Sequence, residues 1–267
     1  MTTSCDPPTQ NHSWFTVEPV APQTYAISEY GHWEEPHSYL FVGSERAALI
    51  DSGLGIGDIR AVVDQLTHLP VIACTTHCHW DHIGGHGSFD EVAVHRLDAG
   101  WMEHGIPVPL EAHRWELMRE AFRLPAPASF APDRWERFCG QPTIELEDLD
   151  VVDLGDRRLT AMHTPGHSPG HLCFYEQALG LLCTGDLFYS GTLYANYEST
   201  DPVAFASSID RIVELQGVRR ILPGHHQLDV TRHQLTALHR GLRDLASRGQ
   251  LRHGTGIHGC GACFILL

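Results

Sequence analysis

The sequence predicts an α/β fold, on three observations. Short apolar runs of β-branched and aromatic residues recur along the chain, each bounded by Gly, Pro or Asp. Amphipathic stretches of helical period lie between them, and interleaving of the two kinds gives an α/β or layered α/β/β/α architecture. Several of the apolar runs also end in a tight turn followed by histidine or aspartate, which marks one end of the strands as the chemical end.

The predicted strands, in order, are 39–42 (YLFV), 47–51 (AALID), 71–76 (VIACTT), 91–95 (EVAVH), 159–164 (LTAMHT), 172–175 (LCFY), 180–185 (GLLCTG) and 219–224 (RRILPG). Four helices are predicted between them. The first covers 57–66. The second, 111–122, has an apolar side of Trp115, Met118 and Phe122. The third runs from an Asp201 N-cap and Pro202 at the first helical position to Gly217, with Val203, Ala206, Ile209, Val213 and Leu215 on its apolar face. The fourth, 234–249, repeats Leu235, Leu238, Leu242 and Leu245. Residues 24–250 are expected as one domain, with 1–23 as an N-terminal extension and 251–267 as a tail carrying Cys260-x-x-Cys263. Residues 96–147, rich in Trp, Pro and Arg, read as an inserted helix and loop suited to a lid or substrate wall.

Composition narrows the function. Among 267 residues the net charge is −15, and all 18 basic residues are arginine. A nucleic-acid partner is disfavoured, because that affinity rests on abundant positive charge. Lysine Schiff bases and lysine general bases are excluded. No apolar run approaches the roughly 20 residues that span a bilayer. The amino terminus lacks the basic start and apolar core of a signal peptide, and eight scattered cysteines suit reduced thiols, so a cytoplasmic location is expected. Self-association into a homo-oligomer is left open.

The chemistry concentrates in "TTHCHWDHIGG", residues 75–85. It follows a buried strand, where α/β proteins commonly place ligands. In extended chain His77 and His79 point the same way and can approach one ion, while Asp81 and His82 turn toward a neighbouring position. Glycines 84 and 85 let the chain fold back. Three later strand ends offer His167, Asp186 and His225, two of them through Pro-Gly turns. Nitrogen and carboxylate donors of this kind suit zinc, with iron or manganese as alternatives.

His77-x-His79-x-Asp81-His82, followed by His167, Asp186 and His225, resembles the metallo-β-lactamase superfamily, as does "AALIDSG" before the motif. The resemblance implies a four-layered αββα sandwich with two Zn²⁺ ions. It puts His77, His79 and His167 on the first ion, Asp81, His82 and His225 on the second, and Asp186 between them. Asp51 then matches a carboxylate that orients a ligand histidine. The segment 141–171 resembles the branch that contains metallo-β-lactamase domain-containing protein 2, associated with acyl-CoA thioester hydrolysis. "HTPGHSPGH" and "CTGDLF" also resemble glyoxalase II, whose glutathione grip uses lysine that this chain lacks. The expected reaction is attack of a metal-bridging hydroxide on a small-molecule thioester or ester carbonyl, with Asp81 holding the hydroxide and handling its proton. Tyr189 and His171 are candidates to touch substrate. Rival readings are a lactonase or β-lactamase, and a sulfur dioxygenase using one iron on the same fold.

Overall fold

The computed structural model describes residues 10–12 and 14–267. Its strands are β1 (Gln10–His12), β2 (Phe15–Ala21), β3 (Thr24–Ser28), β4 (His37–Val42), β5 (Ala47–Ile50), β6 (Val71–Cys74), β7 (Glu91–His95), β8 (Ile144–Leu146), β9 (Val151–Asp153), β10 (Arg158–His163), β11 (Leu172–Glu176), β12 (Leu181–Gly185), β13 (Thr192–Tyr194), β14 (Arg220–Pro223), β15 (Ile257–Cys260) and β16 (Cys263–Leu266). Helices are α1 (Ile59–Leu66), α2 (Ala99–His104), α3 (Leu110–Leu117), α4 (Pro202–Glu214) and α5 (Arg232–Ser247). The chain divides into two compact units. One holds the residues up to Ala93 with Trp101–Ile144 and Asp153–Arg157, the other Val94–Gly100, Glu145–Val152 and Arg158–Leu267.

In the first unit the strands lie side by side in chain order. Pairing is antiparallel from β1 to β5 and turns parallel for β5–β6 and β6–β7. A parallel pair needs a long crossover. α1 supplies the crossover from β5 to β6, started by Asp58, whose side chain accepts from the Ala61 N–H. The crossover from β6 to β7 is the histidine-rich loop itself. β4 and β5 are buried throughout, which is why they read as uninterrupted apolar runs.

In the second unit a five-stranded sheet runs β14-β12-β11-β10-β9, and a three-stranded sheet runs β13-β16-β15. Its core joins Met162, Leu182 and Phe188 to Phe205, Ile209 and Ile212 of α4 and to the predicted leucine stripe of α5. Four features differ from the sequence reading. Of the expected 1–23 extension, residues 1–9 and 13 lie outside the described residues, while Trp14, Phe15, Val17 and Val20 are buried and β2 pairs with β3. Residues 251–267 are more than a tail: β15 and β16 form a hairpin at the left-handed Gly261, and Cys260 and Cys263 are buried. On α4 the face is rotated, since burying the bulkier Phe205 and Ile212 leaves Val203 61% exposed. α3 stops at Leu117 and buries His113 and Leu117, leaving Trp115 and Met118 exposed.

Candidate metal centre

In the first unit the site is built on Asp51, directly after β5. Asp51 sits in left-handed backbone (φ +59), a conformation unfavourable for a residue with a side chain, so the surrounding contacts must hold it there. Its carboxylate accepts from the Thr76 N–H at 2.7 Å, the Thr76 hydroxyl at 2.7 Å and His82 Nδ1 at 2.8 Å. Because Thr76 donates its only hydroxyl proton to Asp51, its oxygen must accept from His77 Nδ1, 3.0 Å away. Both histidines therefore carry the proton on Nδ1 and keep a lone pair on Nε2, the form a cation requires. The rings crowd together, with His77 4.5 Å from His79 and 4.2 Å from His82 between centroids.

The return of this loop depends on glycine. A Cβ at Gly84 would lie 2.3 Å from Gly55 N and from Leu54 C, both backbone atoms that cannot step aside. His86 is bonded on both ring nitrogens, to the Ser52 and Thr75 hydroxyls, and burial drives its pKa down to about 3, so it stays neutral. Cys78 is buried and packs. Trp80 packs against His113 and Trp135, while Trp101 of α2 stacks beside the half-buried His79. Thr76 and Trp101 were not singled out from sequence; neither carries a local pattern beyond following a strand and lying in the inserted segment.

In the second unit His167 follows β10 through Pro165–Gly166. Its Nδ1 lies 2.9 Å from the Tyr194 carbonyl, which can only accept, so its lone pair is also on Nε2. Asp186 follows β12 and divides its two oxygens: Oδ2 is 3.4 Å from His167 Nε2, and Oδ1 is 3.0 Å from His225 Nε2. His225 follows β14 after Gly224, where a Cβ would stand 2.8 Å from Asp186 Oδ1. Tyr189 sets its ring 5.0 Å from His225, and its hydroxyl donates to the Thr192 carbonyl at 2.7 Å. That side chain is buried and braces a candidate ligand. His171 is buried and bonded to the Thr164 hydroxyl at 2.9 Å.

Within the first unit His77, His79, Asp81 and His82 gather at one loop, and within the second His167, Asp186 and His225 come together; these are side chains of the kind that could hold a metal ion. The fit to a cation is tested by chemistry and spacing. With the His167 proton on Nδ1, lone pairs of its Nε2 and of Asp186 Oδ2 face each other and repel unless a positive charge lies between them. Two ligands of one tetrahedral zinc, at bonds of about 2.0–2.1 Å, stand about 3.3 Å apart. The Asp186–histidine separations of 3.0 and 3.4 Å bracket that value. The donor set fits divalent metal.

Residues 33–225 match the model of the metallo-β-lactamase superfamily. The chain belongs to that superfamily. Among its relatives, the acyl-coenzyme A thioesterase MBLAC2 of Bos taurus is 32% identical over 229 residues, covering 79% of this chain and 81% of that one. A hydroxyacylglutathione hydrolase of Gloeobacter violaceus is 28% identical, covering 70% and 63% of the two chains. The solved metallo-β-lactamase from Pontibacter korlensis aligns with TM-score 0.64 at 17% identity, over 86% of this chain and 99% of that one. This likeness gives the superfamily's fold and agrees with the α/β class expected from the sequence. Among the described residues no helix is long and apolar enough to cross a membrane.

Proposed function

We propose that this superfamily member hydrolyses acyl-CoA thioesters at a pair of divalent ions, in the first instance zinc. That it is a metal-dependent hydrolase rests on the family, on relatives named as thioesterases and hydrolases, and on the His/Asp donor groups. The dinuclear site rests on one observation above others: the two oxygens of Asp186 face two different histidines, as a carboxylate shared by two ions would. His77, His79 and His167 then hold the first ion, and Asp81, His82 and His225 the second. The thioester class is taken from the relative named as an acyl-coenzyme A thioesterase.

When bound, such a pair lowers the pKa of water to about 7 and polarises a carbonyl oxygen. The chain's own part is orientation and proton handling. Asp51 fixes His82 directly, and through Thr76 it fixes His77, so that Nε2 of each carries a lone pair. Asp81, 3.7 Å from His82 Nε2, is the carboxylate able to receive the proton released as water attacks the acyl carbon. The thioester C–S bond breaks, and the leaving thiolate takes up a proton to give free CoA.

The test is elemental analysis of the purified protein with a thioester panel assayed before and after chelation. Two zinc per chain, with acyl-CoA cleavage lost on chelation and restored by zinc, is the expected result. Glutathione thioesters cleaved in preference to acyl-CoA would move the substrate to the other thioester class. One iron per chain, with oxygen uptake on a persulfide, would overturn the proposal.

A further inference from the structure

The loop that carries His167 is gripped from outside by side chains that have no place in the donor set. Asp98 lies on the segment between β7 and α2, 69 residues before His167 in the chain, and is fully buried. Its carboxylate accepts from the Ser168 hydroxyl at 2.8 Å (Oδ2) and from the Gly170 N–H at 2.7 Å (Oδ1). Between those two residues, the Pro169 carbonyl meets His163 Nε2 at 2.8 Å. His163 is itself stacked on His95, at 4.0 Å between centroids and 9° between planes. Three consecutive residues after His167 are thus each hydrogen-bonded by a side chain from another element. On the other side the loop meets α4: the Gly166 carbonyl accepts from the Asp201 N–H at 2.8 Å, and a Cβ on Gly166 would strike the Phe205 backbone at 2.3 Å.

We propose that Asp98 is a positioning residue for the first-ion ligand His167, holding the 168–170 turn so that the imidazole stays aimed at the metal. The inference rests on the site reading given above. Among the described residues Asp98 is the carboxylate that accepts from both Ser168 and Gly170, and charge-assisted hydrogen bonds are about twice as strong as neutral ones. Its hold is also exclusive in space. A Cβ at Gly170 would stand 2.7 Å from the Asp98 carboxylate, so the close approach requires glycine at 170. Without Asp98 the Ser168 and Gly170 donors lose this acceptor. The turn can then relax, and His167, tied otherwise to the Tyr194 carbonyl, loses its fixed bearing. The ring would still be present; its direction would not be.

The test uses the purified full chain, stripped of metal and titrated with zinc against a competing chelator dye. Thermal unfolding of the metal-free protein is measured in parallel. In Asp98→Ala one of the two zinc equivalents is expected to weaken 10–100-fold, the range for partners that orient ligands, while the other binds as in the unchanged protein. Ser168→Ala, which removes one of the two donors, should weaken the same equivalent by less. Cobalt substitution gives a spectroscopic check: the visible bands of one of the two sites should change in Asp98→Ala. Wild-type binding of both equivalents by Asp98→Ala, with only a lower unfolding midpoint, would make Asp98 a purely structural residue and overturn the inference. His167→Ala is the control for the underlying site. If that variant also keeps both zinc equivalents, the ligand assignment fails, independently of Asp98.

Discussion

Asp51→Asn is the substitution that most directly tests how the candidate site is set. The two side chains have the same shape, so Asn Oδ1 can still accept from the Thr76 N–H, a bond of 2.7 Å in the native chain. The other oxygen becomes an NH₂ group facing two donors, the Thr76 hydroxyl and His82 Nδ1. Relief requires Thr76 to turn its proton toward His77 Nδ1 and His82 to move its own proton to Nε2. Each shift places N–H where a metal needs a lone pair, so one change of atom inverts two histidines. Orienting partners of metal ligands are worth 10–100-fold in affinity, or about 1.4–2.7 kcal/mol. Here both zinc equivalents should weaken, in contrast to the single equivalent expected for Asp98. Losing two charge-assisted bonds of about 1.5–3 kcal/mol each, partly replaced by neutral ones, should destabilise the metal-free fold by about 2 kcal/mol. Competitive zinc titration reads the affinity, and nitrogen-15 spectra of labelled histidine read which ring nitrogen is protonated. Zinc binding at wild-type strength, with His77 and His82 still protonated on Nδ1, would refute the reasoning.

Two further outcomes follow from the same geometry. Burial raises the pKa of Glu29 to about 7, against the lowering effect of its bonds from the Trp14 indole and the Leu54 N–H. An acid whose folded pKa lies above its unfolded value of 4.5 binds more protons when folded, so stability is lost as pH rises through the interval from 4.5 to 7. The loss is about 3 kcal/mol at full ionisation. Denaturant midpoints of the chelated protein should therefore fall over that interval, and Glu29→Gln should flatten the decline; an unchanged slope in the variant would assign it elsewhere. Gly84→Ala forces a methyl against backbone at 2.3 Å and should cost about 1–3 kcal/mol, seen as a lowered unfolding midpoint. A midpoint equal to the parent's would mean the loop yields more easily than its contacts imply.

The strands and ligand-bearing turns were legible in the sequence because the information is local. β5, β6, β11 and β12 are buried along their full length, so each is a continuous apolar run. His77, Asp186 and His225 each lie within a few residues of the strand that positions them. β2 was hidden by its Pro19 and by a pairing register that shifts between Pro19 and Ala21. The C-terminal hairpin was hidden by glycine, and its cysteines gave no redox signal for a physical reason. Burial lifts the Cys263 thiol to about 11, and its sulfur donates to the Tyr189 carbonyl.

By itself the sequence determined the α/β class, the family resemblance with its seven donors, and the absence of lysine chemistry. Only tertiary structure decided how those donors are aimed. Asp51 reaches His82 across 31 residues, Tyr194 reaches His167 across 27, and Asp98 reaches Ser168 across 70. Such bonds depend on strand register and on which turns pack together, and no periodicity along the chain encodes them. Even the buried face of α4 was chosen this way. Val203 and Phe205 are both apolar, and the core left room for the larger one.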